Sequence, residues 1–154
     1  MPSTTYRRIL VPHDYSAEAD QALRTAAAFP GVRQLVVLHV VEPFYGPADP
    51  IYAAMVPTPE SLVPEQRRLL ERRVGKVLGR RGGNATVRVL VGNAANEIVK
   101  AAAGANLIVM PTTGRTGLKH ILIGSVAERV VRLSPVPVLT MRVAARRRAS
   151  RRRE

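Results

Sequence analysis

The apolar residues of this chain fall into short strand-like runs separated by segments of helical period. Residues 7–12, Arg-Arg-Ile-Leu-Val-Pro, form a short β-branched run closed by proline. Ser16 then reads as an N-cap, with Glu18 and Asp20 in the first turn favouring the helix dipole. Ala19, Leu23, Ala26 and Ala27 recur at helical spacing until Pro30-Gly31 stops the helix. Residues 35–41 are nearly continuous apolar residues, the pattern of a strand buried on both faces. Residues 63–79 predict a long amphipathic helix, with Leu69, Leu70, Val74, Val77 and Leu78 inward and Arg67, Arg68, Arg72 and Arg73 mostly outward. A third strand is expected at 85–91. A helix follows at 94–103, with Ile98, Val99 and Ala102 inside, and a fourth strand at 107–110. The last helix is expected at 125–133, and a fifth strand at 136–143, started by Pro135 and Pro137 and running from Val136 to Val143.

This alternation predicts an α/β fold: a single-domain, open, five-stranded parallel sheet with helices on both faces. Ligands of such sheets sit beyond the carboxyl ends of the strands, near the point where strand order reverses. Here those ends are Pro12-His13-Asp14, Val40-Val41-Glu42, Gly92-Asn93 and Met110-Pro111-Thr112.

The same edge carries a glycine-rich loop, Pro111-Thr112-Thr113-Gly114-Arg115-Thr116-Gly117 through Gly124-Ser125-Val126, between the fourth strand and the last helix. Such a turn exposes backbone N–H groups to a phosphate, and the helix dipole adds positive potential. Gly114, Gly117 and Gly124 would allow positive φ and close approach of a ligand. Ser125 would cap the helix or donate to a phosphate. The alternative is a loop that needs glycines only to turn. Asp14 suits a ribose hydroxyl or an adenine amino group. His13 beside Asp14 suggests acid–base work less than two neighbours pointing apart, and His39 reads as a hydrogen-bonded core histidine. Lys119 and His120 are loop residues within reach of a phosphate. The irregular stretch 42–63 carries five prolines with Phe44, Tyr45, Tyr52 and Met55; it would cover a bound base or pack as a surface loop.

Composition narrows the field. No apolar run approaches the roughly 18 residues of a membrane span. The first residues lack the apolar core of a signal peptide, so a cytoplasmic protein is expected. The absence of cysteine excludes disulfides, Cys-based zinc sites and thiol catalysis, and the three histidines show no metal-ligand spacing. Walker, dinucleotide and hydrolase-elbow motifs are missing. The net charge is +13, and the last nine residues hold six arginines against one glutamate. A like-charge block of this kind repels itself, so a folded unit at 1–144 and a disordered Arg-rich tail at 145–154 are expected. The tail would bind nucleic acid non-specifically or act only as a solubilising segment. The second reading is favoured, because no aromatic residues interleave the arginines.

Taken together, Ile9-Leu10-Val11-Pro12-His13-Asp14-Tyr15-Ser16, Leu38-His39-Val40-Val41, Ala105-Asn106-Leu107-Ile108-Val109-Met110 and Gly124-Ser125-Val126-Ala127-Glu128-Arg129-Val130 resemble the universal stress proteins. The resemblance implies a Rossmann-like fold of the adenine nucleotide alpha-hydrolase type. Its nucleotide-binding branch carries Gly-x2-Gly-x9-Gly-Ser/Thr. Gly114 and Gly124-Ser125 match the second half, while Pro111 stands at the first glycine. The resemblance implies ATP as ligand, with or without Mg²⁺. Asp14 and the Val40 backbone would hold adenine and ribose, and Met110 and Pro111 would line the ribose. Gly114, Gly124, Ser125 and Val126 would hold phosphates; Pro12, Arg115 and Gly117 complete the set. Pro111 lacks an N–H but keeps a carbonyl for a ribose hydroxyl. A homodimer through antiparallel pairing of the last strand, 136–143, is implied as well. The expected role is regulatory, in stress response, with no catalytic residue assigned and slow hydrolysis left open. The alternatives are a nucleotide-free dimeric interaction module and a nucleic-acid-associated protein.

Overall fold

The computed structural model describes residues 5–43, 56–112 and 123–142. In chain order the elements are β1 (Arg8–Pro12), α1 (Ala17–Ala27), β2 (Gln34–Val41), α2 (Pro59–Leu78), a 3-10 turn (Gly79–Asn84), β3 (Ala85–Val91), α3 (Ala94–Ala102), β4 (Leu107–Pro111), α4 (Ser125–Leu133) and β5 (Val138–Met141). The five strands form one sheet of order β3-β2-β1-β4-β5, and every pairing is parallel. The α/β fold expected from the sequence is thus the fold observed.

Strand side chains alternate between two faces, and the two faces build two cores. Ile9, Val11, Leu35, Val37, Leu107 and Val109 pack against Ala22, Leu23 and Ala26 of α1 and Leu70, Val74 and Leu78 of α2. The intervening Leu10, Val36, Leu38, Ile108 and Met110 pack against Ala95, Ile98 and Ala102 of α3 and Ala127 and Val130 of α4. Each fully buried leucine stabilises the fold by about 1.5–3 kcal/mol. Two helices therefore cover each face. The chain changes face after β3, and strand order reverses between β1 and β4.

Two boundaries differ from the sequence reading by more than one residue, and one side chain is placed differently. The second helix begins at Pro59 rather than at residue 63. Pro59 and Pro64 both look like first-turn prolines, but only Pro59 follows a capping residue: the Thr58 hydroxyl accepts from Ser61 N at 3.3 Å. The irregular stretch 42–63 is shortened accordingly. The last strand spans Val138–Met141, not 136–143. Ser134 Oγ holds Val136, donating to its carbonyl at 2.7 Å and accepting from its N–H at 3.2 Å, so the ladder starts only at the Pro137 carbonyl. Finally, Arg73 does not point away from the protein; it reaches Asp20 on α1. Phe44, Tyr45, Tyr52, Met55, Val143 and the Arg-rich tail lie outside the described residues.

Candidate functional site

The site begins as a gap in the middle of the sheet. Ile108 and Thr112 donate to the Pro137 and Met141 carbonyls of the β5 segment at 3.0 and 2.9 Å. By strand alternation, Pro111 turns its nitrogen the other way, towards β1. His13 donates to Leu38 of β2 at 2.8 Å, so Pro12 turns its nitrogen towards β4. The two prolines face each other across the β1–β4 seam, and neither has an N–H to offer. The β1–β4 register accordingly ends at Leu10 opposite Ile108. The strands part at the point where strand order reverses, and the Pro111 carbonyl is turned to the same opening.

The turn after β1 forms one wall. Asp14 Oδ1 accepts from Ser16 N at 3.1 Å and from Ser16 Oγ at 2.5 Å. Ser16 Oγ in turn accepts from Ala19 N at 3.1 Å, capping α1 as the sequence predicts. One hydroxyl thus holds the carboxylate and the helix start. Ser16→Ala is expected to lower stability by about 0.5–2 kcal/mol, read as a lowered Tm in thermal unfolding. Tyr15 has φ 66, a conformation seldom adopted by a residue with a bulky side chain. His39 Nδ1–H donates to the His13 carbonyl at 2.8 Å, and its ring centroid lies 4.7 Å from that of Tyr15, the two planes tilted by 53°. His39 is hydrogen-bonded as expected, but it is only half-buried and faces the cleft.

His13 is not available for acid–base work. Its Nδ1 accepts from Tyr15 N at 3.1 Å, and its Nε2 lies 3.2 Å from Asp20 Oδ1. An amide N–H can only donate, so Nδ1 is the bare nitrogen and Nε2–H donates to Asp20. Burial holds the His13 pKa below its usual 6.5, and Asp20 offsets only part of this. Asp20, read from the sequence as a first-turn dipole residue, is buried and bonded to Arg73 through both carboxylate oxygens at 2.8 Å.

Helix N-termini point to the carboxyl edge of a parallel sheet, and the described residues include four helices. Three are closed by side chains from their own caps: Ser16 on α1, Thr58 on α2 and Asn93 on α3. The α3 terminus is further closed by Glu42, whose Oε1 accepts from Ala94 N at 2.9 Å. The α4 terminus differs. Its N-cap is Gly124, which has no side chain to turn back on the free amides. Ser125 is therefore the first helical residue and not the cap, which corrects the capping role expected for it. Gly124 has φ −71 and ψ 157, so its value is lack of bulk and not positive φ. Its N–H donates to the Thr112 carbonyl at 2.6 Å, drawing together the two ends of the segment between them.

A cleft of about 1030 Å³ runs over this edge. Pro12, Asp14, Val40, Met110, Pro111, Gly124, Ser125 and Val126, spread over most of the sequence, all line it. Gly114, Arg115, Gly117, Lys119 and His120 lie outside the described residues. Tyr15 and Arg73, which sequence reasoning did not assign to the site, line the same cleft, as do the strand-end residues Glu42 and Thr112 that it placed at this edge. The available signal was Arg73 itself, a cation three residues after Leu70 and one before Val74, on the border of an apolar stripe.

The fold and the cleft define an open parallel α/β protein with a crevice at its topological switch point. The chain matches the universal stress protein family over residues 5–142 and belongs to it. Universal stress protein MJ0531 of Methanocaldococcus jannaschii is 35% identical over 89% of this chain and 82% of its own length. YxiE of Bacillus subtilis is 30% identical over 89% of this chain and 99% of its own. Among solved structures, MJ0577 of M. jannaschii superposes with a TM-score of 0.74 at 31% identity, covering 91% of this chain and 98% of that one. A universal stress protein of Archaeoglobus fulgidus, in complex with dAMP, superposes with a TM-score of 0.59 at 25% identity, covering 88% and 97%. Among the described residues, no helix is long and apolar enough to cross a membrane.

Proposed function

We propose that this chain binds an adenine nucleotide, ATP first, in the crevice between β1 and β4, and acts as a homodimeric cytoplasmic regulator in stress response. The observation that carries this is the open N-terminus of α4. Among the four helix starts of the described residues, it alone lacks a capping side chain. Free amides and a helix dipole there suit phosphate. Asp14 and the Val40 backbone line the opposite part of the cleft, where base and ribose would lie, and the Pro111 carbonyl is turned to accept from a ribose hydroxyl. The dAMP complex of the A. fulgidus relative supports the choice of an adenine nucleotide. No group of three metal-ligating side chains gathers among the described residues. We assign no catalytic residue. The domain limits 1–144, with the Arg-rich segment 145–154 appended, form part of this reading.

The test is nucleotide released from the heat-denatured protein, identified by mass, with affinity measured by calorimetry. Asp14→Ala is expected to weaken ATP binding by about 1–3 kcal/mol, the scale of a lost charge-assisted hydrogen bond. Absence of ATP binding to the unmodified chain would favour a nucleotide-free module and point to Pro111.

A further inference from the structure

We propose that Arg73, acting through Asp20 and His13, is a positioning residue that holds the β1–α1 turn so that Asp14 meets the nucleotide. The inference rests on the nucleotide reading above.

The turn does not keep its shape by itself. Tyr15 sits at φ 66, which costs free energy unless its surroundings over-determine it. Every polar group of that residue is held from outside. Its N–H donates to His13 Nδ1 at 3.1 Å. Its carbonyl accepts from the Arg73 guanidinium at 3.2 Å. Its hydroxyl donates to Gln66 of α2, with Oε1 at 2.9 Å and the carbonyl at 3.1 Å. His13 can accept from Tyr15 only while Nδ1 is bare, and Asp20 fixes that tautomer by accepting a hydrogen bond from Nε2–H. Arg73 fixes Asp20 with two parallel contacts, Nε to Oδ1 and a terminal nitrogen to Oδ2, both at 2.8 Å. A chain of hydrogen bonds therefore runs from α2 to the residue that follows Asp14. Asp20 does not line the cleft, so it reaches a ligand only through its neighbours.

The geometry has a pH signature. The groups that bear on His13 are Asp20 from α1, Arg73 from α2, Asp14 in the turn, Tyr15 beside the ring, and His39 on its backbone carbonyl. Protonation of His13 puts a hydrogen on Nδ1, where it meets the Tyr15 N–H and ends that contact. Burial lowers the His13 pKa, so the neutral form persists at neutral pH. The held turn is present above pH 6.5 and is lost as pH falls through the lowered value.

The experiment measures ATP affinity by calorimetry for the unmodified chain and Asp20→Asn from pH 8 to pH 5, with folding followed by circular dichroism. Titration of the ATP phosphates is common to both proteins and cancels in the ratio of dissociation constants. At pH 8, Asp20→Asn is expected to bind about tenfold more weakly, the scale of one positioned hydrogen bond. The ratio should fall towards one in acid, because only the unmodified chain still has a held turn to lose. Arg73→Lys, which keeps the charge but not the paired contacts, should weaken binding in the same direction and covers the case in which Asp20→Asn fails to fold. A folded variant that binds as tightly as the unmodified chain, or a ratio constant with pH, overturns the proposal alone. Failure of the unmodified chain to bind ATP overturns the nucleotide reading and this proposal with it.

Discussion

Gly124→Asp is expected to abolish phosphate-dependent nucleotide binding while leaving the fold as stable as before or slightly more so. Gly124 occupies the N-cap position of α4 in the extended conformation that Ser, Thr, Asp and Asn adopt at such positions. The backbone at φ −71 accepts any residue, so aspartate enters without strain. Its carboxylate would turn back on the free amides of α4 and close the terminus as Asn93 closes α3. Capping and the dipole should together add from a few tenths to about 1 kcal/mol. The same carboxylate would occupy the place of a phosphate and repel it. Charge-assisted hydrogen bonds contribute about 1.5–3 kcal/mol each, so losing two weakens ATP by more than about a hundredfold. Calorimetry with ATP and with adenosine separates the effects: ATP affinity should collapse to that of adenosine, which should change little. Undiminished ATP binding by a folded Gly124→Asp protein would remove phosphate from this terminus.

Much of this arrangement was legible because a parallel sheet gathers distant residues by rule. Pro12, Val40 and Pro111 are far apart in sequence, yet each lies in the last two residues of a strand, and strands of one direction end at one edge. Residues 35–41 and 85–91 were recognisable as strands because β2 is covered on both faces and β3 is rich in β-branched residues. The network of His13, Asp20 and Arg73 was not legible. Helical period assigns a face by polarity, so an arginine is placed outward. Nothing local to Arg73 announces a carboxylate 53 residues away. Asp20 was misleading for a related reason. An acid in the first turn of a helix has a sufficient explanation in the dipole, which hides its second role as a buried partner. The capping of α4 turned on one residue: a serine follows the glycine, and sequence preference favours the serine. The chain instead caps with glycine and leaves the terminus open.

Thr140→Pro is expected to convert a homodimer into a folded monomer. β5 lies at the edge of the sheet beside β4, and an edge strand presents unpaired backbone groups to any second strand. Alternation decides which residues present them. The Pro137 and Met141 carbonyls accept from Ile108 and Thr112 of the β4 side. Odd positions of β5 therefore face inward, and Val138 and Thr140 turn their N–H and carbonyl groups to the open edge. A proline at Leu139 would break the ladder to β4 and unsettle the fold. A proline at Thr140 removes only an outward N–H, the one position class in a sheet where proline is tolerated. Antiparallel pairing of two copies of β5 would use that N–H, and the symmetry of such a dimer loses it twice. Exposed Leu139, Val131 and Leu133, at 37%, 47% and 49%, offer apolar surface on and beside this strand. Light scattering at micromolar concentration should show the dimer mass for the unmodified chain and half of it for Thr140→Pro, with unchanged circular dichroism. A monomeric unmodified chain, or a Thr140→Pro protein that keeps the dimer mass, would place any assembly on another surface.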